Sequence, residues 1–253
     1  MLRRSDYPHI PIERPRPDGQ GFIGALLGRE QASRALMVEY LVDPVLREPI
    51  VTGLLGRDWV PAPEGDAAAA YWDRFIDFWY RMGYDLVRYE APLSFPKRTL
   101  LAPDTAAGAG GERRWLDEHH GTITSWADYE AYPWPRVEEY DFSAFEYLNS
   151  HLPDGLGLIV SHCGGMYEHL SQLFSYEGLC YALFDQPALV AAVSRRLGEL
   201  MEEFYENLAD LDRVIAIFPG DDMGFRSATL IAPEDLRRYV LPWHRRFAAV
   251  AHR

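Results

Sequence analysis

Val214-Ile-Ala-Ile-Phe-Pro-Gly-Asp-Asp-Met-Gly224 is the stretch that decides the fold. A short apolar, β-branched run stops at Pro219-Gly220, and two carboxylates, Asp221 and Asp222, follow in a turn flanked by glycines. That is the pattern of a buried strand whose exit is acidic. Three further runs fit the same description: Ala35-Leu-Met-Val38, Asp85-Leu-Val-Arg-Tyr89 and Gly157-Leu-Ile-Val160. Amphipathic helical segments stand between them, which is the alternation of βα units building a parallel sheet. The clearest helix takes Asp185 as its N-cap and Pro187 in its first turn. It then places Leu189, Val193, Leu197, Leu200, Phe204 and Leu208 on one face. Trp72, Phe75, Phe78, Trp79 and Met82 form a second apolar stripe that reads as core. A last helix begins at Pro233, carries Leu236, Tyr239, Val240, Trp243, Phe247 and Val250 on one side, and is predicted to kink at Pro242.

Outside these units the chain is looser. Four prolines between Tyr7 and Gly19 predict an extended arm that packs against the body or frays, so residues 1–20 are set apart from a domain over 21–253. A glycine- and alanine-rich stretch, 103–111, separates two β-like runs, Lys97 to Leu101 and Glu112 to Leu116, and predicts a long hairpin insertion.

Composition narrows the function. With 253 residues, 48% of them apolar, the chain can bury a core. Its net charge of −13 repels phosphate backbones and anionic lipid, which argues against nucleic-acid and membrane-surface roles. Two cysteines, Cys163 and Cys180, make no disulfide framework. With no signal peptide and no long apolar run, the expected location is the cytoplasm.

In parallel α/β folds the working groups lie at the carboxyl ends of strands. Here those exits hold Glu39, then Glu90, then Ser161-His162-Cys163, then Asp221-Asp222. Two adjacent carboxylates resist joint ionisation, and such a pair can hold a metal, orient a ligand or share a proton. The plainer reading is a cap plus an ion pair with Arg226. His162 and Cys163, with Glu168 and His169 further on, carry donors suited to zinc or acid–base work, yet their spacing matches no closed zinc motif. His119 and His120 read as a solvated turn. Serine-hydrolase, phosphate-loop and dinucleotide motifs are absent from the sequence.

Gly220-Asp-Asp-Met-Gly-Phe225, followed by Leu230-Ile-Ala-Pro-Glu-Asp-Leu-Arg-Arg-Tyr-Val-Leu-Pro242, resembles the uroporphyrinogen decarboxylase superfamily. Arg81-Met-Gly-Tyr-Asp-Leu-Val87, Trp115-Leu-Asp-Glu-His-His-Gly121, Tyr132-Pro-Trp-Pro135 and Phe184-Asp-Gln-Pro187 occur in the order that family uses. The resemblance implies a (β/α)8 TIM-barrel type with its cleft at the carboxyl face of the strands. Four βα units would be half of it, so the barrel is expected to be truncated before a fifth strand. A half-barrel has open sheet edges and is expected to associate, for instance as a homodimer.

The superfamily holds two chemistries: decarboxylation of the acetate side chains of uroporphyrinogen, and methyl transfer linked to a corrinoid (cobalamin) protein. Decarboxylases of the family grip substrate carboxylates with arginines after the first strand, whereas Met37-Val-Glu-Tyr-Leu-Val-Asp-Pro44 has none. They also carry an aspartate after the second strand, where this chain has only Glu90. The resemblance therefore implies a corrinoid-linked methyltransferase or demethylase, with a tetrapyrrole decarboxylase as the alternative and a non-catalytic binding module as a third. Zinc in the methyltransferases is held by a His-x-Cys pair and a later Cys, expected beyond Arg253. Asp221, Asp222 and His162 are the expected catalytic groups, and Glu39, Glu90, Arg226 and Tyr167 the expected substrate-binding ones. The expected partners are a small-molecule or tetrapyrrole substrate and a corrinoid protein.

Overall fold

The computed structural model describes residues 2–62, 68–103 and 112–253, with the side chain of Ala68 left aside; the predicted hairpin tip lies outside them. Among the described residues the chain is mixed α/β. In order it runs α1 (Gly19–Leu26), α2 (Pro44–Gly53), α3 (Ala68–Met82), β1 (Leu86–Glu90), β2 (Thr99–Pro103), β3 (Glu112–Leu116), α4 (Trp126–Ala131), α5 (Ser143–His151) and β4 (Gly157–Ser161). It continues α6 (Met166–Phe174), α7 (Tyr176–Asp185), α8 (Pro187–Ala209), β5 (Val214–Ile217), β6 (Gly224–Phe225), β7 (Ala228–Thr229), α9 (Pro233–Tyr239) and α10 (Leu241–Ala251). The chain divides into two compact units, Met1–Glu90 with Asp141–Ser161 and Asn207–Phe218, and Ala91–Tyr140 with His162–Glu206 and Pro219–Arg253.

The first unit contains a parallel sheet of order β1-β4-β5. Leu86 pairs with Gly157 and Glu90 with Ser161 along β1 and β4, and Val160 pairs with Ile217 across β4 and β5. β4 is buried along its whole length, as its unbroken apolar run requires when both faces are covered. α3 turns Trp72, Phe75, Phe78 and Trp79 inward, and Tyr89 of β1 meets Phe145 of α5 edge-on at 4.8 Å.

Ala35–Val38, read as a strand, is not one. The segment is loop, tied to the start of β1 by a single backbone bond from Asp85 N to Met37 O of 2.9 Å. What holds it is the Asp85 carboxylate, fully buried, which accepts from Met37 N (2.7 Å) and Asp18 N (2.8 Å) and is forked by Arg34. Three strands, not four, therefore make the parallel sheet, and no closed barrel is formed among the described residues. The proline-rich arm packs against the unit: Ile12 N donates to Arg81 O (2.9 Å), and Gly19 N to Gly155 O (2.8 Å).

The second unit combines helices with the largely exposed antiparallel pair β2–β3, whose register sets Leu100 opposite Trp115. The six apolar residues predicted along α8 are all buried, each contributing about 1.5–3 kcal/mol of transfer free energy. Two boundaries differ from expectation. Asp185 is the last residue of α7 and caps nothing, because Gln186 makes the junction before Pro187. The final helix is two, α9 and α10, separated at Val240 (φ −118°, ψ −59°), with Pro242 in the first turn of the second. Proline there starts a helix where its missing N–H costs nothing, and does not bend a continuous one.

Candidate active site

After β5 the chain passes into the second unit, where a polar centre forms around Asp221. Gly165 precedes α6 in extended conformation, and the first turn of that helix presents free backbone N–H groups. The carboxylate of Asp221 takes two of them, accepting from Tyr167 N at 2.9 Å and Glu168 N at 3.1 Å. Glu168 closes the turn from the other side by accepting from Gly165 N at 2.9 Å. Negative charge at this end of a helix is favoured by the dipole and by the unpaired N–H groups together. The Asp221 side chain is 1% exposed, and its third partner is His244 of α10, whose Nε2 lies 2.9 Å from Oδ2. A carboxylate only accepts, so Nε2 of His244 is the donor in this pair, and Nδ1 is left for another partner. The His244 side chain is 19% exposed and so reaches solvent.

Asp221 and Asp222 thus do not act as a carboxylate pair. Asp221 is turned inward onto α6 and His244, whereas Asp222 is exposed. Arg226, at the tip of the β6–β7 ribbon, is exposed and forms no ion pair with either. Tyr167 lends its backbone N–H to Asp221 while its ring is buried, and burial pushes its hydroxyl pKa up.

His162 is fully buried. Its Nε2 accepts from Leu93 N at 3.0 Å, its backbone N donates to the Tyr205 hydroxyl at 3.3 Å, and its ring stands edge-on to His169 at 5.2 Å. Neither Nδ1 of His162 nor either ring nitrogen of His169 has a hydrogen-bond partner. Burial, reinforced by the neighbouring His169, pushes the His162 pKa down to about 3; burial and the charge of Lys97 push His169 down to about 4. Both imidazoles are neutral core groups at pH 7 and make no hydrogen bond to Asp221. Cys163 (φ 64°) is exposed in the turn before α6. His119 and His120 are solvated, each beside a carboxylate.

The strand exits of the first unit hold a different group. Arg88 of β1 donates to Tyr40 O at 2.9 Å, to the Glu90 carboxylate and to Ser161 Oγ at 3.3 Å. Its guanidinium stacks 3.7 Å from the centre of the Tyr40 ring and 4.9 Å from that of Phe218. Glu90 is engaged by this arginine. Glu39, no longer at a strand end, is exposed and accepts from Tyr40 N at 2.8 Å.

Sequence reasoning missed His244 and Arg88. His244 adjoins Trp243 on the apolar stripe of α10, and nothing local marks it as the partner of a carboxylate 23 residues earlier. Arg88 did carry a signal, since a charged residue inside an apolar strand must be paired. Among the described residues no three His, Cys, Asp or Glu side chains are grouped so as to hold a metal ion. No helix among them is long and apolar enough to cross a membrane. No family model, no curated protein and no solved structure matches this chain.

Proposed function

We propose that the protein is an enzyme of the uroporphyrinogen decarboxylase superfamily, built on part of a βα barrel, that acts as a corrinoid-linked methyltransferase or demethylase with Asp221 and His244 as its proton-handling pair. The observation that carries the reading is the buried Asp221 carboxylate, locked by two amide N–H groups and hydrogen-bonded to an imidazole that reaches solvent. Such a carboxylate fixes the tautomer and the orientation of the ring, which is what holds a proton-handling imidazole in place. A methyl donor with an oxygen leaving group requires a proton at the departing atom as the C–O bond breaks, and on this reading Nδ1–H of the His244 imidazolium gives it while Nε2–H stays on Asp221.

Among the described residues no side chains group as a zinc site, and the resemblance places the corrinoid on a partner protein. The arginines favour methyl transfer over decarboxylation of a polycarboxylate. Arg34 is forked onto Asp85 and Arg88 is held by Glu90, so neither is free to grip substrate carboxylates.

Asp221→Asn and His244→Gln should each lower turnover of a methyl donor, in the presence of cob(I)alamin, by roughly 10²–10⁴-fold while leaving the fold intact. Unchanged turnover in both variants sinks the assignment. Uroporphyrinogen depletion without cobalamin would instead establish the decarboxylase, and neither activity in the unmodified protein would leave a binding module.

A further inference from the structure

A second charged centre lies in the first unit, at the opposite end of β1 from Glu90. α3 ends at Met82, just before β1 begins, and its last turns carry Asp77 and Arg81. One carboxylate there serves three guanidinium groups: Asp77 lies 3.2 Å from Arg57 Nε, 3.4 Å from Arg81 Nε and 3.7 Å from Arg74 Nη1. A cavity of about 330 Å³ opens beside it, lined by Arg4, Arg57 and Arg81 together with Asp77, Glu13 and the apolar Ile12 and Leu55. The Arg4 side chain is exposed and has no partner among the described residues. Three arginines and two carboxylates line the cavity, and a fourth arginine, Arg74, touches Asp77 from outside it, in a chain whose net charge is −13.

We infer that this cavity is a binding site for an oxyanion, the phosphate group of a small soluble ester. Arginine forks match phosphate oxygens in geometry and charge, and Arg57 keeps both terminal nitrogens uncommitted because only its Nε is spent on Asp77. The volume falls within the range of small-ligand pockets, about 300–1,000 Å³, so a phosphate ester fits it and a bare ion leaves it part-filled. Like charges held together without enough counter-charge repel one another, and a bound dianion removes that repulsion. Catalysis in parallel α/β folds belongs to the carboxyl ends of strands, so a ligand here acts as an effector. Its contact is with the N-terminal arm: Arg81 already donates to Glu13 O (2.7 Å) and Ile12 O (3.3 Å), and Arg4 comes from the same arm. Occupancy therefore clamps the arm onto α3. The inference is independent of the methyl-transfer reading.

Calorimetric titration of the full chain with inorganic phosphate and with glycerol phosphate tests it, alongside protease cleavage within residues 2–18. Saturable one-to-one binding is expected, tighter for the ester, competed by sulfate, and accompanied by slower cleavage of the arm. Arg4→Gln, which disturbs no contact, and Arg57→Gln should each weaken binding tenfold or more, while Arg195→Gln on α8 should not. Absence of saturable binding, or binding that survives both variants unchanged, overturns the proposal.

Discussion

At the scale of single residues, the site depends on how closely Asp221 approaches the backbone before α6. A Cβ placed on Gly165 would lie 2.2 Å from both Cβ and Cγ of Asp221, far inside van der Waals contact. Gly165→Ala must therefore push the carboxylate off the Tyr167 and Glu168 amides and away from His244. The expected cost is about 1–3 kcal/mol of stability, the usual range for overpacking, with a loss of turnover similar to that of Asp221→Asn. Chemical denaturation read beside the kinetics checks it: full activity with reduced stability would mean that Asp221 only caps the helix. Asp221 stood out in the sequence as a candidate, from two acids in a glycine-flanked turn after an apolar run, but its geometry did not. Its partners lie 54 residues earlier and 23 residues later, and side chains brought together by folding leave no mark in local spacing. For the same reason the neighbouring Asp222 looked equivalent and proved to be exposed.

At the scale of elements, legibility follows burial. The stripe of α8 and the apolar face of α9 and α10 were readable because burial of one helix face imposes a three- and four-residue period. β4 was readable because a strand covered on both faces must be apolar throughout. Ala35–Val38 has strand-like composition yet stays a loop, because its polar backbone is satisfied by the Asp85 carboxylate in place of a ladder, and composition cannot reveal which partner a backbone takes. Helix contact also explains Gly198, in the middle of α8. Intrinsic propensity alone makes Gly→Ala in a helix favourable by about 1 kcal/mol. Here a Cβ would meet the Trp243 ring at 2.0 Å, and Trp243 is held in place by its Nε1–H donating to Ser194 Oγ at 3.2 Å. Gly198→Ala should thus lower the melting temperature. A raised one would show that Trp243 can move aside and that the α8–α10 contact is soft.

At the scale of the whole molecule, two buried histidines and one buried aspartate contribute to the response to acid. His162 and His169 have folded pKa values of about 3 and about 4, below the 6.5 expected of an exposed imidazole. Above pH 6.5 both are neutral whether folded or unfolded and contribute nothing to the balance. Below it the unfolded chain takes up protons that the folded chain refuses, so stability falls with pH until the folded values are reached. The slope approaches about 1.4 kcal/mol per pH unit for each histidine. Repulsion between rings 5.2 Å apart ensures that the folded chain cannot readily accept both protons. Asp85 adds a second stage. Burial pushes its pKa up, but Arg34 and the amides of Met37 and Asp18 outweigh burial and leave it below the ordinary carboxylate value. The stability it supplies is present above that ordinary value and is lost as pH falls through the lowered one. Urea midpoints measured from pH 7.5 down to pH 4 should therefore decline from about pH 6.5 onward. His169→Phe separates the histidine contribution from general acid effects, because this ring makes no hydrogen bond and packs on Phe95 at 4.8 Å. The variant should match the unmodified chain at pH 7.5 and outlast it at pH 4.5, and equal decline of the two would show that His169 carries none of the acid sensitivity.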